Sequence, residues 1–279
     1  MAGLIELLQP ERLTAVVDVG ANPIDGDPPY KQLLQMRGCR VTGFEPQADA
    51  LAALNARKSE FETYLPNVIA DGKRAKLHVC HAPGMTSLLK PSQQMLGQFR
   101  GFPEWGKVVR EIPVETSRLD DVVAGNPLDL LKIDIQGSEL TAIENGRRCL
   151  ARAVAVQCEV SFLPLYEDQP THGAIDRALS RLGFVPHAYA AINRRMIGPL
   201  FDQTNPFAAM NQLLEADIVY VRDFTRPDDM QIEQLKHLAI IAHYCYRSFD
   251  LAANCIHHLE RRGAVLPGSL AQYPAMMKT

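Results

Sequence analysis

The sequence predicts an α/β fold with a mostly parallel, doubly wound sheet. Three observations carry that prediction. Short β-branched runs alternate with helical stretches from about residue 15 to residue 221, as in a parallel sheet covered by helices on both faces. Two later runs, 128–135 and 154–160, are almost continuously apolar, the mark of central strands buried on both sides. With 279 residues, 47% of them hydrophobic and 22% charged, the chain can bury a large core.

Taken in order, residues 15–19, 40–44 and 67–70 are the first three predicted strands, with helices over 30–37 and 48–57 between them. The second helix carries Ala-Leu-Ala-Ala-Leu at helical spacing. Residues 76–81 alternate, and the Asp71-Gly72 turn suggests antiparallel pairing with the third strand. Residues 88–107 contain Trp105, the only tryptophan, and show no period, so they read as a long loop or lid. A strand at 112–116, a short helix at 119–123 and the buried strand 128–135 follow, the last closed by Gly137. Ser138 is placed to N-cap a helix over 139–145, with Gly146 at its stop. The strand 154–160 precedes a helix over 174–182 ended by Gly183, and 184–190 and 218–221 are the last strands. After Thr225-Arg226-Pro227, two helices over 231–244 and 248–262 are expected to pack as a hairpin. These signals divide the chain into a sheet domain, 1–224, and a C-terminal helical extension, 225–279. The extension is expected to cover the substrate side or a subunit contact, because two amphipathic helices cannot bury their apolar faces alone.

Composition narrows the partners. Lys plus Arg total 29 against 32 Asp plus Glu, a net charge of −3, so the chain lacks the basic footprint of a nucleic-acid binder. No stretch approaches the ~18–20 apolar residues that span a bilayer. The N-terminus has no basic segment and carries Glu6 inside its apolar run, unlike a secretory signal. Cys39, Cys80, Cys149, Cys158, Cys245 and Cys255 form no CxxC pair, which suits free thiols and a cytoplasmic location. The expected partner is a small-molecule or glycan acceptor, with no nucleic acid and no membrane; a homo-oligomer is compatible with the sequence.

In an open α/β sheet the ligand lies beyond the carboxyl ends of the strands, at the switch point beside the first. The first strand ends in Asp18-Val19-Gly20-Ala21-Asn22, and acids mark three further strand ends: Glu45, Asp134 and Glu159. An acid after the second strand suits a ribose diol in either a nicotinamide dinucleotide or S-adenosylmethionine. The turn from Gly20 to Asp27 has two glycines and the carboxylates Asp25 and Asp27, which would repel a pyrophosphate. A sulfonium and an ammonium tolerate or prefer Asp18, Asp25, Asp27 and Asp134. The electrostatics therefore favour S-adenosylmethionine.

Asp18-Val19-Gly20-Ala21-Asn22, Gly43-Phe44-Glu45-Pro46, the run from Leu131 to Glu139 and the stretch from Glu159 to Gly183 together resemble the FkbM-type S-adenosylmethionine-dependent methyltransferases. The resemblance covers about residues 15–221. It implies a Rossmann-like class I methyltransferase fold with its last strand inserted antiparallel, and O-methylation of a sugar or other hydroxylated metabolite. By matching positions it implies that the Gly20 turn approaches the methionine part, Glu45 holds the ribose hydroxyls, Asp71 lies by the adenine and Asp134 faces the reaction centre. Asp18, Gly20, Asn22, Glu45, Pro46, Asp71 and Asp134 are thus the candidate cofactor residues. Two positions depart from the family pattern: Ile24 stands where a second glycine is usual, and Gln136 where a glutamate is usual. The alternatives are a nicotinamide-dependent sugar-modifying oxidoreductase and a non-catalytic binding module that keeps the fold.

Asp134 and Glu159, at the ends of adjacent strands, are the candidate catalytic acids, with His81, before the Pro83-Gly84-Met85-Thr86-Ser87 loop, as a further candidate base. His78, His172 and His187 are weaker candidates of the same kind. No metal is expected. His243 and Cys245 lie two apart on a helix and point different ways, so with Cys255, His257 and His258 they read as packing and surface residues.

Overall fold

The computed structural model describes residues 3–22, 26–202, 204–205 and 207–277; Ile24 and Asp25 lie outside the described residues. The described residues form ten strands: β1 Thr14–Val19, β2 Cys39–Phe44, β3 Glu62–Leu65, β4 Val68–Ala70, β5 Arg74–Cys80, β6 Val108–Arg118, β7 Leu130–Ile133, β8 Ala155–Ser161, β9 Phe184–Arg195 and β10 Gln212–Arg222. Seven make one sheet in the order β3-β2-β1-β7-β8-β10-β9. Within it β10 alone runs antiparallel, inserted between β8 and β9, and the other pairings are parallel. This is the mostly parallel, doubly wound, Rossmann-like sheet with one antiparallel strand that the sequence predicts. Its switch point lies at β1, flanked by β2 and β7.

Side-chain alternation sorts the sheet into two cores. Val16, Val41, Leu130 and Val219 face one side and pack with Leu4, Leu33, Leu235 and Tyr273. Val17, Val19, Leu131 and Ile133 face the other and pack with Ile143, Leu150, Ile175 and Leu179. The helix Ile232–Tyr246 is buried at ten residues, from Leu235 to Tyr244, because it lies flat on the first face. The helix Phe249–Arg261 returns against it after Arg247 adopts the left-handed conformation (φ 53°). The expected hairpin forms, but it covers a face of the sheet: among the described residues none beyond Asp217 lines either cleft described below.

Three elements differ from expectation. The third strand of the main sheet is β3, a partly exposed edge strand reading Glu-Thr-Tyr-Leu, whose polar residues hide it from a search for apolar runs. Residues 67–70 supply β4 of a separate three-stranded sheet, ordered β4-β6-β5. In it β5 pairs antiparallel with β6, not with β4, although Gly72 does turn the chain at φ +83°. The segment 88–107 is not a structureless lid. It forms the short helices Gln93–Leu96 and Phe102–Trp105, and Leu96, Phe99 and Phe102 are buried against Leu165, Tyr166 and Leu214. Four-residue helices are too short to show a period. Ser138 does stand at the N-cap of the helix Glu139–Glu144, but its side chain makes no capping bond.

Candidate active site

The carboxyl ends of β1, β2 and β7 are laced together by backbone bonds. Gly20 and Ala21 donate to the Phe44 carbonyl at 3.0 and 3.1 Å, and the Asp134 N–H donates to the Val19 carbonyl at 3.0 Å. Gly20 has φ +81°, and a Cβ there would sit 1.9 Å from the Asp134 carbonyl oxygen. Only glycine fits at this crossing.

Beyond it lies a cleft with about 750 Å³ of empty space out to its mouth, bordered by Gly20, Asn22, Glu45, Pro46, Val68 and Asp134. Glu45 is buried and its Oε1 accepts the Gln47 N–H at 2.7 Å. Burial pushes its carboxyl above the ordinary value, opposed by the backbone N–H groups of Gln47 and Asn22. Asp18 is buried beneath the turn and borders the neighbouring cleft. It accepts the Tyr30 hydroxyl at 2.5 Å, and Lys132 Nζ lies 3.2 Å from its second oxygen as an ion pair. Burial raises its carboxyl, while Lys132 and Tyr30 pull the other way. Asp71 does not border the cleft. It pairs with Lys73 at 2.9 Å and accepts the Lys73 N–H at 3.1 Å, and this lysine holds its carboxyl low.

A second, larger cleft, with about 2290 Å³ of empty space, shares Asn22, Gly84, Asp134 and Gln136 with the first. Its floor carries Glu159, Glu215 and Asp217, and its wall carries Phe102, Trp105 and Phe207. The Trp105 and Phe207 rings stack at 5.2 Å. The structure brings Asp134 and Glu159 together through one side chain: Gln136 Nε2 lies 3.0 Å from Asp134 Oδ1 and 3.0 Å from Glu159 Oε2. Burial, then Asp134 and Glu215, push Glu159 well above the usual carboxylate range. Glu139, buried behind them, accepts the Ile135 and Gly137 N–H groups at 2.8 and 3.1 Å, and burial pushes it up to about 7. Among the described residues Asp134, Glu139 and Glu159 are the one carboxylate group whose oxygens lie within 4.8 Å of one another; the Gln136 amide and backbone N–H groups already serve them.

None of the histidines borders either cleft. His81 is exposed and its Nδ1 lies 2.9 Å from Glu104 Oε1. His78 is buried 3.6 Å from Glu111, His172 packs on the Phe162 ring, and His187 shares a 2.7 Å hydrogen bond with Ser248. His243 Nδ1 meets the Tyr273 hydroxyl at 2.9 Å, a packing role, and all six cysteines are free thiols. The residues that sequence reasoning missed are Lys132, Glu215 and Asp217. A signal existed for each: Lys132 is two before Asp134, and Glu215 and Asp217 stand two apart in an apolar strand, so each pair shares a face.

A doubly wound sheet with one inserted antiparallel strand and a glycine-turn cleft at its switch point defines a Rossmann-like class I methyltransferase fold. The sequence model of the methyltransferase FkbM domain matches residues 18–186, and the chain belongs to the FkbM family of S-adenosylmethionine-dependent methyltransferases. That membership sets aside the nicotinamide reading. Similar solved structures include the magnesium protoporphyrin IX methyltransferase of Synechocystis PCC 6803, 11% identical over 76% of this chain and 71% of that one, TM-score 0.38. Others are a putative methyltransferase from Thermoplasma acidophilum (10% identical, 75% and 68% covered, TM-score 0.38) and methyltransferase FkbM from Methylobacillus flagellatus KT (11%, 78% and 50%, TM-score 0.38). No curated protein matches the sequence. Among the described residues no helix is long and apolar enough to cross a membrane.

Proposed function

We propose that this chain transfers a methyl group from S-adenosylmethionine to a hydroxyl oxygen of a sugar or another small hydroxylated metabolite. One observation carries the reading: Asp134 and Gln136 border both clefts, and Glu159 is one hydrogen bond away, so a donor site and an acceptor site meet at two carboxylates.

The first cleft fits the cofactor. Gly20 leaves a cradle that any Cβ would fill, where Gly20 and Asn22 can approach the methionine part. Glu45, with Pro46 fixing the chain after it, offers a buried carboxylate to the ribose hydroxyls. Val68 and Asn67, which border the same cleft, are better placed for the adenine than Asp71. Asp18 acts from beneath, holding Lys132 and the turn. When bound, S-adenosylmethionine supplies an electrophilic methyl on a sulfonium, which the nearby Asp134 carboxylate favours.

Glu159 holds the acceptor hydroxyl and takes its proton. A carboxyl raised by burial and neighbouring acids is a stronger base, better matched to neutral pH, and such a base contributes ~10²–10⁴-fold. The stacked Trp105 and Phe207 rings suit the flat face of a sugar, and Glu215 and Asp217 suit its hydroxyls. The test is methyl transfer to a panel of sugars and hydroxylated metabolites, paired with calorimetry using S-adenosylhomocysteine. Transfer to at least one hydroxylated acceptor is expected; methyl products only on nitrogen acceptors would overturn the oxygen assignment.

A further inference from the structure

Where the two clefts meet, a neutral amide stands between two carboxylates. An amide has one accepting end and one end with two donors. The Gln136 Oε1 lies 3.0 Å from the Tyr166 hydroxyl, which also lies 3.2 Å from the Met85 carbonyl. The Nε2 end therefore faces Asp134 and Glu159, with one N–H for each. The backbone holds this aim. Gln136 has φ +56° and Gly137 φ +103°, a left-handed pair unusual for a non-glycine residue. The turn is pinned because Ser87 Oγ donates to the Gln136 carbonyl at 2.7 Å.

We propose that Gln136 is a positioning residue that keeps Glu159 in its ionised, proton-accepting form by giving one amide N–H to each of the two facing carboxylates. The proposal rests on the methyl-transfer reading for its purpose, but not for its test. Every other acid around Glu159 works against ionisation: Asp134 at the end of β7, Glu139 from the helix behind it, and Glu215 and Asp217 from β10. The cations pair with the neighbouring acids: Lys132 acts on Asp18, Asp134 and Asp217, and Arg195 acts on Glu215. The Tyr166 hydroxyl, from the segment after β8, reaches Glu159 through the amide. A hydrogen bond donated to the charged form favours that form, so the amide lowers the pH above which Glu159 can act as a base.

The experiment is a carbon-13 NMR titration of the glutamate carboxyls in the cofactor-free protein, with the Glu159 signal assigned by its loss in Glu159→Gln. In Gln136→Leu the Glu159 midpoint is expected to rise by about one unit or more, and the acidic limb of the turnover profile to move to higher pH with it. In Tyr166→Phe, which frees the amide to turn, a smaller rise in the same direction is expected. An unchanged Glu159 midpoint in folded Gln136→Leu overturns the proposal, and should that variant not fold, an unchanged midpoint in Tyr166→Phe does so. Wild-type protein that shows the titration behaviour without methyl transfer would instead refute the functional reading alone.

Discussion

The carbonyl oxygen of Asp134 occupies the space that a side chain on Gly20 would need, at 1.9 Å from the ideal Cβ position. This contact joins the ends of β1 and β7 at the switch point, so the Gly20 turn and Asp134, which the proposed function gives to the cofactor and the reaction centre, are held against each other. Gly20→Ala must push backbone against backbone while holding φ +81°, a conformation that costs a non-glycine residue ~1–3 kcal/mol before any clash. The variant is expected to melt at lower temperature and to lose S-adenosylhomocysteine binding. Wild-type melting and affinity would show that the crossing relaxes freely.

Glu45 and Asp71 separate a buried site residue from a surface acid. Glu45→Ala removes hydrogen bonds to a charged acceptor worth ~1.5–3 kcal/mol each, so S-adenosylhomocysteine affinity should fall at least tenfold. Asp71→Ala breaks a pair with Lys73, whose side chain is 76% exposed, and should leave affinity within about twofold. Equal effects of the two substitutions in a calorimetric titration would contradict this assignment.

The strands that carry the switch point were legible because burial on both faces leaves nearly unbroken apolar runs, as at Leu130 and Leu131 or Val154 to Val156. Gly20, Glu45, Asp134 and Glu159 were legible because a glycine or an acid stands out where such a run ends. The edge strand β3 was not, since Glu62 and Thr63 need no burial there. The acids of β10 were hidden by a boundary: with the strand begun at 218 instead of Gln212, Glu215 and Asp217 fell into an apparent loop. Gln136 was legible only as a departure from a pattern; its contacts with Asp134 and Glu159 depend on a backbone conformation that spacing alone does not encode.

The C-terminal helices give a third test. Leu235, Leu238, Ile241, Leu251 and Ile256 are all essentially buried and share a core with Val16 and Leu130 of the sheet. Each such leucine or isoleucine contributes ~1.5–3 kcal/mol, in sum comparable to a domain's whole net stability of ~5–15 kcal/mol. We propose that the segment 225–279 cannot be removed from the sheet. A chain ending at Phe224 is expected in inclusion bodies or as soluble aggregates; a monomeric, cooperatively melting truncation would count against it.

Glu139 predicts a pH effect on stability. Its carboxyl is raised from the ordinary value of 4.5 to about 7, burial being the largest cause. The folded state therefore binds a proton more tightly than the unfolded state, and this favourable contribution is complete below about pH 4.5 and lost as pH rises through about 7. Glu139→Gln keeps an oxygen for the Ile135 and Gly137 N–H groups without the titration. Between pH 5 and 8 the wild-type melting temperature should fall relative to that of the variant. Parallel melting curves across this range would mean that Glu139 is not titrating there.

Asp134 and Glu159 share a hydrogen-bonded amide yet should fail differently when neutralised. Asp134 borders the first cleft and sits against the Gly20 crossing, so under the proposed function its charge acts on the methyl donor. Asp134→Asn preserves the oxygen that accepts the Gln136 N–H but removes that charge, and turnover should drop ~10²–10³-fold while S-adenosylhomocysteine affinity stays within about tenfold. Glu159 borders only the acceptor cleft, so Glu159→Gln should reduce turnover by a similar ~10²–10⁴-fold and leave cofactor affinity unchanged. The difference appears in the pH profile. The Asp134→Asn variant should keep the acidic limb set by Glu159, displaced to lower pH because a facing negative charge is gone, whereas Glu159→Gln should lose that limb altogether. Single-turnover methyl transfer across pH 5–9, with a calorimetric titration of each variant, reads both. Full activity in both variants would remove these acids from the reaction and leave water as the proton acceptor, since no histidine borders the cleft.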